Sequence, residues 1–182
     1  SKQAVVLMLL YLFSAEELRE LLEGMGYPLP PEAILRMVEF YGSRSTHGST
    51  LSNVVHSWLE ARRDRERSWS FLTKALESDL ADIQGGSTSE GIHLGAMAGS
   101  VDMVVRCYTG LEFRDNKLWL HPVLPAELTE VAFTINYREQ PIRLELTAAK
   151  LRLHLHGGGA TPITVKVEGQ EATLSPGEPR DF

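Results

Sequence analysis

The apolar positions of the chain follow two different periods, and the change lies near Tyr108. Before it, apolar residues recur every three or four positions, which is the period of a helix with one buried face. After it, they alternate with polar residues, as in a strand that buries one side. The pattern predicts an α+β protein in which a helical unit, residues 1–110, precedes a β unit, residues 111–182.

Six helices are predicted in the first unit. The second begins after Ser14, where Glu17 completes an S-x-x-E capping box. The third opens at Pro31, because proline in a first turn sacrifices no hydrogen bond. The sixth is rich in small residues, which let neighbouring helices approach closely. The predicted spans are about 2–13, 15–23, 31–41, 51–59, 65–78 and 91–108.

Alternating runs in the second unit predict an antiparallel meander with one buried face. Such a face needs a second layer, which we expect either from the helical unit or from a segment beyond this chain. Turns containing glycine, proline or alanine separate the runs. The predicted strands are 118–120, 131–137, 142–146, 151–155 and 163–167.

Composition and charge narrow the functional classes. Hydrophobic residues make up 43% of the 182 residues, enough for a core, and the net charge of -6 argues against a general nucleic-acid binder. The single cysteine, Cys107, excludes an internal disulfide and zinc sites built on cysteine pairs. The longest apolar run, residues 4–13, is shorter than the roughly 20 residues that span a bilayer. We therefore expect no membrane association, no metal centre and a cytoplasmic location. The initial serine suggests part of a longer protein.

The stretch RSTHGSTLS, residues 44–52, lies immediately ahead of the fourth helix. It contains one imidazole, one glycine and five hydroxyls, and the helix start adds amide donors and a partial positive charge. This combination suits phosphate or another oxyanion, although the GxxxxGK[ST] pattern of a P-loop is absent. The alternative is a polar loop in which Thr50 or Ser52 caps the helix.

Two further polar stretches could contribute to a site. Glu90 and His93, in the sequence EGIH, suit acid–base chemistry or half of a metal site, while Glu90 alone could simply stabilise a helix dipole. Lys2 and Gln3 begin the first helix, either at the lip of a pocket or as an exposed terminus. The remaining histidines are expected to be structural or on the surface: His56, His121, His154 and His156.

Taken in order, four motifs resemble the C-terminal part of family 65 glycoside hydrolases: KQ followed by YLF, THGSTLS, EGIH followed by MAGS, and LWLHPVLP. The family includes trehalose, maltose and kojibiose phosphorylases and related hydrolases, and the trehalose-phosphorylase-like members look most similar. The resemblance implies the second half of an (α/α)6 barrel followed by a small antiparallel β-sandwich-like domain. It places the family's general acid, a glutamate, upstream of the KQ motif, so no residue of this chain is expected to be that acid.

The same resemblance implies roles for the candidate residues. It implies no cofactor and makes inorganic phosphate a co-substrate. Val5 stands where the family pattern often has an acidic residue. The residues implied to bind the sugar are Lys2, Gln3 and His93, and those implied to bind phosphate are His47, Gly48, Ser49, Thr50 and Gly91.

Residues 44–52 contain no Asp or Glu, which favours phosphate over water as the nucleophile. Inverting hydrolysis needs a carboxylate base to activate water, whereas phosphate is already anionic. A carboxylate ~4 Å from phosphate would cost on the order of 4 kcal/mol at an effective dielectric of about 20. The loop thus favours a phosphorylase over a hydrolase, and the family resemblance implies that the chain is part of an inverting enzyme that acts on a trehalose-like α-glucose disaccharide.

Two alternatives stay open: part of a family 65 hydrolase, with Glu90 as a possible base, and a non-catalytic carbohydrate-binding remnant. A half barrel exposes helix faces that are built to pack against other helices. Large exposed apolar surfaces usually mark an interaction site. Besides the disaccharide and phosphate, the expected partner is therefore the complementary N-terminal barrel half or a second copy of the chain.

Overall fold

The computed structural model describes residues 5–45, 49–82, 85–86 and 88–182. The chain divides into two compact units between Val101 and Asp102. Each unit has an apolar cluster of its own.

The described residues form six α-helices, as predicted. They are α1 Met8–Leu12, α2 Ala15–Gly24, α3 Pro31–Gly42, α4 Thr50–Glu60, α5 Arg65–Glu77 and α6 Leu94–Asp102. The predicted capping box is present at α2: the Glu17 amide donates to the Ser14 hydroxyl at 3.1 Å, and the Ser14 amide donates to the Glu17 carboxylate at 2.8 Å. The predicted proline occupies the first turn of α3.

Two helices are shorter than predicted. The N-cap position of α1 is Leu7, which has no side-chain oxygen to bond the first amides, and the helix begins only at Met8. The last helix begins at Leu94, because Gly91 has a φ of +143°, a value that a right-handed helix does not contain. Beyond α6 the chain continues as a π-helix, Met103–Cys107.

The β unit contains two four-stranded sheets and not a single meander. Its strands are β1 Glu112–Arg114, β2 Lys117–Leu120, β3 Glu130–Tyr137, β4 Gln140–Thr147, β5 Leu151–Leu155, β6 Ile163–Val167, β7 Gln170–Leu174 and β8 Pro179–Asp181. One sheet has the order β1-β2-β6-β7 and the other β3-β4-β5-β8. Within them β2 pairs with β6 in parallel, which corrects the fully antiparallel prediction, while the other strand pairs are antiparallel.

The inner faces of the two sheets form one apolar cluster. It contains Leu118 and Val165 from one sheet and Leu144 and Leu153 from the other, each at most 1% exposed. The second layer that the strands need therefore lies within the β unit, which corrects the expectation that it would come from elsewhere. The β-sandwich-like domain implied by the family resemblance is confirmed.

Tight turns set the register of three hairpins in this unit. The two linking residues have positive φ at Asp115–Asn116, at Arg138–Glu139 and at Glu168–Gly169. This backbone matches the right-handed twist of the flanking strands. Gly110, ahead of β1, also has positive φ, and a Cβ there would lie 2.4 Å from the main-chain oxygen of His121. Only glycine fits this close approach.

Candidate functional site

The structure describes four of the predicted site residues. Ser49 and Thr50 lie at the start of α4, while Gly91 and His93 lie in the segment that leads into α6. The other four lie outside the described residues: Lys2, Gln3, His47 and Gly48.

The two helices that follow these segments pack directly against each other. Gly99 of α6 faces Val54 of α4 so closely that a Cβ on the glycine would lie 2.7 Å from a Val54 methyl carbon. Gly99, one of the small residues noted in the sixth helix, therefore serves a close helix–helix contact. As a result, the predicted phosphate loop and the EGIH segment are attached to neighbouring helices.

Among the residues that the structure describes, no side chain caps the start of α4. Ser49 occupies the N-cap position, where a serine hydroxyl commonly accepts a hydrogen bond from the second or third helical amide, but its side chain makes no such bond. Instead, the Ser52 amide donates to the main-chain oxygen of Ser49 at 3.0 Å. Thr50 and Ser52 are buried inside the helix, 4% and 3% exposed, so the alternative in which either of them caps it is wrong.

The polar side chains at the front of the loop bind back to α3. The Arg44 guanidinium lies 3.9 Å from the centre of the Phe40 ring and donates to the Phe40 carbonyl at 3.1 Å. The Ser45 hydroxyl donates to the Tyr41 carbonyl at 2.9 Å. Donors at a helix end satisfy carbonyls that have no partner within the helix. These two side chains stabilise the end of α3, so the candidate anion donors are those that follow them.

Helix α4, which follows the loop, is buried around most of its circumference and not along the single apolar stripe that was predicted. It is fixed to α5 by reciprocal bonds: the Ser57 hydroxyl donates to the Ser68 carbonyl at 2.8 Å, and the Ser68 hydroxyl donates to the Ser57 carbonyl at 2.7 Å. Both serines are fully buried. The His56 ring, 5% exposed, stacks on Phe71 with ring centres 5.2 Å apart, in keeping with a structural role.

His93 is held by an aspartate that the sequence analysis did not identify. Asp79 follows the end of α5, and its Oδ1 lies 2.5 Å from His93 Nδ1 while its Oδ2 accepts from the His93 amide at 2.9 Å. The two side chains are 11% and 26% exposed. These hydrogen bonds from the imidazole and the amide lower the pKa of Asp79, so the carboxylate is ionised at neutral pH.

A second aspartate organises the loop ahead of the EGIH segment. Asp82 accepts from the Gly86 amide at 2.7 Å and from the Thr88 amide at 3.4 Å, and these bonds lower the pKa of its carboxyl. Glu90 ends a short 3-10 helix, Thr88–Glu90, and is exposed. It therefore stands at the surface of this segment.

Two of the histidines expected to be structural or on the surface lie side by side in the β unit. The His154 and His156 rings lie 4.9 Å apart and contact each other.

Among the residues that the structure describes, no three His, Cys, Asp or Glu side chains are arranged to hold a metal ion. Over the same ranges, every helix is too short or too polar to cross a bilayer.

Comparison with known proteins identifies both units. The model of the glycosyl hydrolase family 65 central catalytic domain matches residues 1–102, and that of the family 65 C-terminal domain matches residues 111–174. An uncharacterized glycosyl hydrolase of Mycobacterium tuberculosis is 45% identical over 96% of this chain and 13% of its own length. A trehalose 6-phosphate phosphorylase of Lactococcus lactis is 30% identical over 100% of the chain and 23% of its own length. The chain thus spans less than a quarter of these relatives.

A solved structure has the same fold. It is assigned as a kojibiose phosphorylase from the human microbiome and superposes with a TM-score of 0.79 at 20% identity, covering 100% of this chain and 22% of its own. The helices and the two sheets described above therefore correspond to part of a larger architecture.

Proposed function

Because the chain belongs to glycosyl hydrolase family 65, we propose that it forms the phosphate-binding side of an inverting α-glucoside phosphorylase. In this proposal the disaccharide is trehalose-like, and inorganic phosphate is the nucleophile. The general-acid glutamate is supplied by a part of the barrel that this chain does not contain. The names of the phosphorylases among the relatives support the reaction class.

The start of α4 carries the proposal. It combines a helix of three turns, an N-cap serine whose side chain makes no capping bond, and a preceding loop without Asp or Glu. The helix amides and dipole favour an anion at this end. Ser49 and Thr50, together with His47 and Gly48, would bind phosphate here, and no carboxylate within residues 44–52 would repel it.

The other predicted residues complete the pocket in this proposal. Lys2, Gln3 and His93 would contact the glucose unit whose bond is cleaved, while Gly91 would approach phosphate with its main chain. The positive φ of Gly91 suits such an approach, because a side chain there would strain the backbone. The anomeric carbon would then lie between the phosphate and the general acid, which is the arrangement that inversion requires.

Hydrolysis is the second candidate function. A relative at 45% identity is described as a glycosyl hydrolase, and the exposed Glu90 stands two residues ahead of Ile92 in the EGIH segment. If water is the nucleophile, a carboxylate base is necessary. Glu90 is then the residue whose replacement by glutamine would abolish cleavage.

We also propose that the helical unit binds a complementary barrel half or a second copy of the chain. Helix α3 has no buried residue although seven of its twelve residues are apolar. Its Leu35 and Phe40 side chains are 64% and 51% exposed. A face of this kind in a member of a barrel family is suited to packing against further helices.

The test combines the chain with a family 65 barrel half that carries the general-acid glutamate. Trehalose, maltose and kojibiose are supplied with and without phosphate, and glucose 1-phosphate is measured. The double variant His47→Ala/Ser49→Ala removes two donors to a charged ligand, so phosphate-dependent cleavage should fall roughly a hundredfold or more.

The matched control is Ser45→Ala, whose hydroxyl binds the Tyr41 carbonyl and so lies outside the proposed cradle. It should retain near-normal phosphate dependence. Unchanged phosphate dependence in the double variant would contradict the assignment of the loop. Release of glucose without any need for phosphate, abolished by Glu90→Gln, would favour hydrolysis instead.

A further inference from the structure

Two aspartates follow the C-terminal end of α5, where carboxylates are electrostatically disfavoured. The end of a helix carries a partial negative charge from its last carbonyl groups. Asp79 and Asp82 both lie within five residues of the helix end at Glu77. Their placement therefore depends on compensating donors, and both receive them from the segment that leads into α6.

The contacts of Asp79 determine where the proton of the His93 ring lies. An ionised carboxylate has no hydrogen to donate, so it can only accept. The 2.5 Å contact between Asp79 Oδ1 and His93 Nδ1 therefore requires the proton on Nδ1. The second contact, from the His93 amide to Asp79 Oδ2, fixes the main chain at the same residue. One carboxylate thus fixes both the main chain at His93 and the ring nitrogen that carries the proton.

We propose that Asp79 is a positioning residue that keeps a proton on His93 Nδ1 and fixes the ring, so that an uncharged ring presents Nε2 as the acceptor of a hydrogen bond from a sugar hydroxyl. The ligand class rests on the function proposed above. A neutral imidazole in water favours the opposite tautomer, with the proton on Nε2. Without Asp79 the ring would more often present a donor where an acceptor is needed, and its orientation would no longer be fixed.

Asp82 provides a matched comparison within the same turn. Its carboxylate accepts from the main-chain amides of Gly86 and Thr88, so it holds the loop and not the ring. Replacing Asp82 by asparagine should loosen the loop without changing the tautomer of His93. Replacing Asp79 should change the tautomer.

The experiment is nitrogen-15 NMR of the imidazole rings in the 182-residue chain at a pH where the rings are neutral. His93→Gln identifies the signals of His93 among the six histidines. We expect a protonated Nδ1 in the wild type and in Asp82→Asn, and a shift toward protonated Nε2 in Asp79→Ala. Asp79→Asn keeps an acceptor oxygen and should retain part of the Nδ1–H form. It also serves as the informative variant if the alanine chain does not fold.

A wild-type ring protonated on Nε2, or a tautomer that is unchanged in both Asp79 variants, would overturn the proposal. In the assembled enzyme, Asp79→Ala should lower kcat/KM for the disaccharide about tenfold, the effect of one lost hydrogen bond, and Asp82→Asn should lower it less. The NMR result as expected, combined with no phosphate-dependent cleavage by the wild-type assembly, supports the tautomer assignment and refutes the proposed function. The two failures are thus distinguishable.

Discussion

Replacing Gly99 with alanine tests how closely α6 is fitted against α4. The new Cβ would lie 2.7 and 3.0 Å from the two methyl carbons of Val54, whereas carbon atoms attract each other best at about 3.5–4.0 Å. Val54 is fully buried, and a valine in a helix has essentially one χ1 rotamer, so it cannot turn away. Overpacking of this kind costs about 1–3 kcal/mol, and removing a helical glycine returns about 0.5–1 kcal/mol. We expect a net loss of about 1 kcal/mol in the free energy of unfolding.

Two further substitutions in the same chain serve as a control and as a rescue. Gly95 lies in the same helix, and apart from that helix's own backbone no atom of the described residues lies within 4 Å of a Cβ built on it, so Gly95→Ala should be neutral or slightly stabilising. Val54→Ala removes the two methyl groups that meet the new Cβ, so the double variant should be more stable than the sum of the single effects by about 1 kcal/mol. Urea unfolding followed by the helical circular dichroism signal measures each value. The close contact between Gly99 and Val54 does not exist if Gly99→Ala is as stable as Gly95→Ala. It is equally refuted if the free-energy changes of Gly99→Ala and Val54→Ala simply sum in the double variant.

Two further predictions concern the β unit and the surface of α3. Arg152 donates to both carboxylate oxygens of Asp181, at 2.6 and 2.9 Å, which lowers the pKa of Asp181 from 3.8 to about 2. A lowered carboxyl pKa contributes stability above the unfolded pKa and loses it as the pH falls toward the folded one. The urea midpoint of the β unit, followed by Trp119 fluorescence in a Trp58→Phe/Trp69→Phe background, should therefore drop between pH of about 4 and 2, and less so when Asp181→Asn is added. If the exposed face of α3 binds a partner, the chain should elute as a dimer or bind a family 65 barrel half in size-exclusion chromatography. Leu35→Lys should weaken either association. A folded monomer that binds neither a second copy nor the barrel half would contradict this proposal.

The helical and strand segments were predictable because each is encoded by local spacing. The capping box at Ser14 and the proline at the start of α3 are local signals, and both act as predicted. The assignment of strands to two sheets was not predictable, since alternation indicates which face is buried but not what covers it. The parallel pairing of Leu118 with Val165 joins strands that are far apart in the sequence. Such pairing depends on the packed fold and leaves no mark on either strand alone.

The same limit explains why the motifs revealed His93 but not Asp79. His93 belongs to a short segment whose order of residues resembles a known family, whereas Asp79 lies fourteen positions earlier, in a turn with no recognisable pattern. One physical signal was available: two acidic residues after a helix end, where the dipole opposes them. That conflict indicates that donors must reach them from elsewhere, but it does not say which ones. Sequence motifs therefore identify the side chains that would contact a ligand. The groups that orient those side chains are found only in the folded chain, by asking which donors stabilise each carboxylate that is buried or lies at the unfavourable end of a helix.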